Sequence, residues 1–304
     1  MLFLLQYGTA LVGLLAALSV WFARRRSWSA LPSSARIWTS VGLVIALGIS
    51  ILFNVSSAFP WWVPPLDEDG YLVLGLFRFI APLLLCAIAL LFLIPPARGV
   101  GPRGAAELAP RTLLTFSSRP WLASAVGVVT GVIIVTVLAG MASSPDEAGR
   151  YLVYSVEASA TTNASTTIYG WFYSGPCLIA IAVIVVLVLV ELTVISRPPL
   201  AIDRDNDVAT RTARVRNVLA VSTGGLLLHL GAVLQSLHGT SSLRLGMDAG
   251  APGWAELGTS FAAIGPFLLV AGYVSVVAGL AMWWMVLVSA LTARTREPVD
   301  AVLA

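Results

Sequence analysis

Hydrophobic stretches long enough to cross a bilayer alternate with short arginine-rich segments along the chain. This alternation constrains the fold more than any other feature. In lipid the backbone finds no water, so an apolar run of roughly 20 residues must close its hydrogen bonds as a helix. Seven such crossings are expected, at about 4–22, 38–56, 72–94, 121–142, 173–195, 217–237 and 261–292. A chain that is 58% hydrophobic and only 11% charged departs far from a soluble domain, where about 25% of residues are charged. The expectation is one all-α, polytopic membrane helix bundle over 1–304, with no separate soluble domain.

The basic residues set an orientation. All 18 are arginine, and basic residues in short loops are retained on the cytoplasmic side. Arg24, Arg25, Arg26 and Arg36 follow the first run; Arg98, Arg103, Arg111 and Arg119 follow the third. Arg197, Arg204, Arg211, Arg214 and Arg216 follow the fifth, and Arg294 and Arg296 the seventh, while the opposite side carries only Arg150 and Arg244. The amino terminus is therefore expected outside and the carboxyl terminus in the cytoplasm. The first run lacks a basic leader and precedes arginines instead of a small-residue cleavage site, so it reads as a retained helix and not a signal peptide.

The net charge of +3 does not indicate nucleic acid, because the arginines sit at helix ends where anionic headgroups meet them. Membrane lipids are the expected contact. Without lysine there is no Schiff base to retinal or pyridoxal phosphate and no phosphate-loop lysine. That composition reads as the codon bias of a GC-rich genome and suggests a bacterial plasma membrane. Cys86 and Cys177 fall within apolar runs, where a thiol packs as a small hydrophobe.

Between the fourth and fifth runs, β-branched and aromatic residues at 150–157 and 166–171 flank a turn at 161–165. A small β-hairpin over 150–171 is expected, or else an extended loop lying on the bundle. Trp61 and Trp62 suit the headgroup level. The last run is overlong for a membrane, and Gly265-Pro266 near its start favours a break or a first-turn proline.

Polar groups inside a bilayer are costly and mark candidate sites. Arg78 lies seven residues into the third run, at a depth of about 10 Å. Pro82 deprives the Arg78 carbonyl of its helical donor. Arg78 reads either as an anion site open to the outside or as a snorkelling side chain paired with Asp67, Glu68 or Asp69. His229, Gln235 and Asn54, with Gln6, sit at comparable height in other runs. They would either line one outward-facing cavity with Arg78 or make scattered interhelical hydrogen bonds. Glu191 near the inner end of the fifth run is either a carboxylate paired with a nearby arginine or a proton-coupling acid.

Asp203, Asp205 and Asp207 alternate as at the start of a metal-binding loop. Val208 and Arg214, however, stand where a calcium loop needs glycine and glutamate. The local reading has Asp207 capping a helix that begins near Val208. Haem and zinc are disfavoured, because the two histidines, His229 and His238, and the cysteines form no ligand-spaced set. No cofactor is expected. The serine-hydrolase elbow and the metalloprotease H-E-x-x-H are absent. Gly127 and Gly131 form a G-x-x-x-G in the fourth run, which permits close approach of another helix.

These features favour a non-enzymatic integral subunit of a cell-envelope transport or export assembly, partnered by other membrane subunits, with any energy input coming from another chain, such as a separate ATPase, or from an ion gradient. A self-contained transporter or lipid and anion carrier with an outward-facing cavity is the alternative. An intramembrane enzyme using Asp203, Asp205 and Asp207 as metal ligands is the third reading.

Overall fold

The computed structural model describes residues 2–24, 31–58, 66–94, 112, 115–159, 162–197, 204–248 and 254–292. Among these the chain forms α1 (Leu2–Arg24), α2 (Ser33–Ala58), α3 (Glu68–Leu93), α4 (Arg119–Met141), α5 (Trp171–Ser196), α6 (Arg204–Ser241) and α7 (Gly265–Thr292). Short strands β1 (Ser144–Pro145), β2 (Tyr151–Ser159) and β3 (Thr162–Thr167) follow α4, and β4 (Arg244–Asp248) and β5 (Trp254–Gly258) follow α6. Six of the helices, α2 to α7, are long and apolar enough to cross a membrane. Over the first expected crossing the chain forms the helix α1, apolar over Gly8–Ala23 among the residues with described side chains.

Each helix except α6, where only Val208 is so exposed among the described residues, presents several large apolar side chains outward. Leu11, Leu52, Val126, Ile179 and Phe267 are all exposed. A continuous apolar exterior of this extent suits lipid and not water, and the fold is that of a membrane protein. Helix α6 inverts the pattern: it is the least apolar of the six, yet 83% of its apolar stretch is buried, against 17–39% of the others. In a membrane the oily helices can face the solvent, and helices rich in small and polar residues pack in the middle. Gly224, Gly225 and Gly231 let α3 and α7 approach α6 closely. A Cβ on Gly225 would collide with Cys86 of α3, and one on Gly224 with Trp283 of α7. Trp283 is fully buried and donates its indole N–H to the Val221 carbonyl at 2.9 Å.

One expectation about length is corrected and another holds. Helix α6 begins at Arg204, not near 217, and its 38 residues extend about 57 Å against a hydrocarbon core of about 30 Å. The final crossing is overlong as expected: the apolar span is Ala262–Thr292, 31 residues, in which a 3-10 turn at Ala262–Ile264 leads into the 28-residue α7 with Pro266 in its first turn.

Where α3, α5 and α7 end, three arginines close their last carbonyls. The guanidinium of Arg36 in α2 donates to Ala290 O (3.0 Å) and Leu291 O (3.3 Å) at the end of α7. Arg211 of α6 donates to Ile195 O and to Arg197 O (2.6 Å) at the end of α5. Arg214 donates to Leu93 O (3.2 Å) at the end of α3. The final carbonyls of a helix lack intrahelical donors and carry the negative end of its dipole, so cations are stabilising there.

The opposite end carries the strands. The expected hairpin forms, with β2 antiparallel to β3 from Val153↔Thr167 to Ser159↔Thr162, and β1 adds a third strand on β2. The second strand comes earlier than expected, at Thr162–Thr167 instead of 166–171. A second antiparallel pair, β4 with β5, was not anticipated. Tyr154 of β2 joins the two sheets through Ser260 (3.0 Å) and an edge-on contact with Phe261. Trp61 and Trp62 lie outside the described residues.

At this end Arg150 gathers three carboxylates: Asp146 (2.7 Å), Asp69 (3.2 Å) and Glu68 (3.4 Å). The pairs tie the β1–β2 turn to the start of α3. Gly149, at φ 77°, takes the left-handed conformation that this turn requires and that side chains disfavour. Asp146 accepts the backbone N–H of Arg150 and of Ala148 as well as the guanidinium. These bonds, the backbone one from Arg150 foremost, hold its carboxyl below the ordinary value.

Candidate functional site

Two buried polar groups occupy the interior. The one nearer the strands centres on His229, which is fully buried in α6. Its Nδ1 lies 2.8 Å from the Phe79 carbonyl of α3, and its Nε2 lies 3.4 Å from the Tyr169 hydroxyl. A carbonyl only accepts, so Nδ1 carries the proton and Nε2 accepts from Tyr169. Pro82 leaves the carbonyl of Arg78, one position before Phe79, without its helical donor. Tyr169 is itself fully buried and stacks on Phe79 with ring centroids 4.7 Å apart.

The other sequence candidates at this height do not join His229 in one chamber. Arg78 is on an exposed face of α3, within electrostatic reach of the Tyr273 phenol of α7. Of the acids named as its partners, Glu68 and Asp69 pair with Arg150 instead, and Asp67 caps α3 by accepting the Gly70 N–H at 2.9 Å. Gln235 is half-buried in α6 and packs its stem against Gly272 of α7. Asn54 is in α2, with its side chain outside the described residues.

The second group lies toward the arginine-capped end. Glu191 of α5 is 1% exposed, and neither carboxylate oxygen has a hydrogen-bond partner. Arg214 of α6 and Cys86 of α3 are close enough to interact with it electrostatically. One turn along α6 from Arg214, Asn217 is 3% exposed and its Oδ1 also lacks a donor. Arg214 and Asn217 form one wall of a narrow cleft whose other walls are Ala35 and Thr39 of α2 and Leu93 of α3.

The aspartate run does not form a metal centre among the described residues. Asp203 lies outside them, as does the side chain of Asp205. Asp207 does not cap the helix, which starts three residues earlier. It sits in the first turn and pairs with Arg211, one turn on, at 2.8 Å. No group of three or more potential metal ligands occurs among the described residues.

Sequence reasoning missed Asn217, Tyr169 and the half-buried position of Arg214 within α6. A signal existed for Arg214. Asp207, Arg211, Arg214 and Val218 recur at helical spacing, which a loop would not require. Nothing in the sequence pairs Tyr169 with a histidine sixty positions away. No protein-family model matches the chain, and neither a curated protein nor a solved structure does.

Proposed function

We propose that the chain crosses the bilayer seven times, with its amino terminus outside, as a non-enzymatic integral subunit of a cell-envelope transport or export assembly. The observation that carries this reading is the outer face of α4. Of this 23-residue helix only Val132, Thr136, Ala139 and Gly140 are buried. A Cβ on Gly127 or on Gly131 would meet nothing within 4 Å. The close-approach motif of α4 is therefore unused inside the chain, and a helix of another subunit is the partner that such a face accommodates.

The same openness makes the test clean, because bulk added there does not disturb the fold. In a native membrane extract, Gly127→Leu and Gly131→Leu are expected to leave the yield and melting of the chain unchanged while co-purifying membrane chains are lost from its native mass. A wild-type chain that runs alone as a monomer, or variants that retain every partner, would refute the proposal.

A further inference from the structure

Removing a carboxyl group from water without giving it a donor is expensive, and an apolar residue of similar volume would pack at lower cost. The burial of Glu191 with both oxygens unpartnered therefore calls for a reason other than packing. Its position narrows that reason. Glu191 stands five residues before the end of α5, hence roughly 7–8 Å from the arginine-capped end of the bundle. Arg214 interacts electrostatically with Glu191, and it also lines the α2–α3–α6 cleft. Asn217 adds a third donorless oxygen in the cleft wall. Three acceptors without donors, one in the cleft wall and two on a carboxyl that interacts with the cleft-lining Arg214, call for a mobile donor, and one that is water-sized fits a cleft this narrow.

We propose that Glu191 is a proton-exchange site, with Arg214 as its counter-charge, loaded by water or hydronium from the cleft between α2, α3 and α6. Only an O–H bond is made or broken: hydronium in the cleft gives its proton to a Glu191 oxygen and leaves as water, and the reverse step returns it. Without the proton the Glu191–Arg214 pair is neutral; with it the pair carries one positive charge. The groups facing Glu191 are Cys86 from α3 and Arg214 from α6, with Arg211 beyond Arg214. Packed on its other side, α4 carries a single charged residue, Arg119, at its first position. This inference is independent of the assembly reading, since it concerns the chain alone.

Infrared difference spectra of the full chain in liposomes, recorded across a pH step, test it. The expected result is a protonated-carboxyl C=O band that titrates, exchanges with deuterium, and disappears in Glu191→Gln. Ala35→Trp, which fills the cleft, should slow the deuterium exchange of that band while leaving the band in place. Should Glu191→Gln fail to fold, Arg214→Gln replaces it, and the pH midpoint of the band must move. A spectrum without a titrating band that depends on Glu191, an unmoved midpoint in Arg214→Gln, or exchange at the wild-type rate in Ala35→Trp overturns the proposal.

Discussion

The Gly279 Cα of α7 faces the Gly224 carbonyl of α6 so closely that a Cβ on Gly279 would stand 2.6 Å from that oxygen. Seven residues along each helix the contact repeats: a Cβ on Gly231 would lie 2.9 Å from the Gly272 carbonyl. Two glycine pairs thus set the spacing of the antiparallel α6–α7 pair, and Leu228 and Val276 fill the space between them. Gly279→Val should force the helices apart and lower stability by about 1–3 kcal/mol, the usual range for overpacking a filled core. Thermal unfolding in detergent checks this, with Gly127→Val as the control expected to melt as wild type.

Arg36 fastens the start of α2 to the end of α7 through two carbonyls. Arg36→Gln should cost about 0.5–1.5 kcal/mol, the net worth of a typical hydrogen bond. Arg36→Lys should recover only part of it, because an ammonium lacks the planar fork that spans two oxygens. Chemical denaturation of the three proteins in the same detergent measures the order. Equal stability of the glutamine and lysine variants would show that charge at the helix end, and not the fork, matters.

The bundle was legible because lipid imposes a length: the apolar runs around 72–94, 121–142 and 173–195 fall on α3, α4 and α5 to within a few residues. The start of α6 was not, because 204–216 is polar and its arginines were counted as loop charge, although the structure uses Arg211 and Arg214 as caps for neighbouring helices. The glycine motif that stood out, Gly127 with Gly131, makes no close contact in the chain, whereas the pairs that do, Gly224 with Gly279 and Gly231 with Gly272, lie on two helices and have no single-helix signature. The candidate site suffers the same blindness. Glu191 stood out by its charge alone, but its unpartnered oxygens and its proximity to Arg214 arise only when α5 and α6 are side by side.

Acid should loosen the strand-bearing end through Asp146. Its carboxyl is held below the ordinary value by the Arg150 backbone N–H first, with the Arg150 guanidinium and the Ala148 N–H adding to it. A depressed folded-state value means that the contribution is fully present above the unfolded value, near the usual carboxylate range, and disappears as pH falls through the folded one. Backbone hydrogen exchange in 142–159 should therefore accelerate below that range, before the helices open. Asp146→Asn should exchange fast already at neutral pH and show no further acid step.

His229 makes a fixed-tautomer bridge between α3 and the segment before α5, giving its Nδ1 proton to Phe79 and taking one from Tyr169. His229→Leu would remove both buried hydrogen bonds of the bridge, and each such bond is worth about 0.5–1.5 kcal/mol. Tyr169→Phe removes only the longer of the two bonds and should cost less. If the histidine served a ligand instead of the bridge, His229→Leu would abolish binding without lowering the melting temperature. The bridge predicts the reverse, a melting temperature that falls in His229→Leu and falls less in Tyr169→Phe, and differential scanning calorimetry in detergent distinguishes the two.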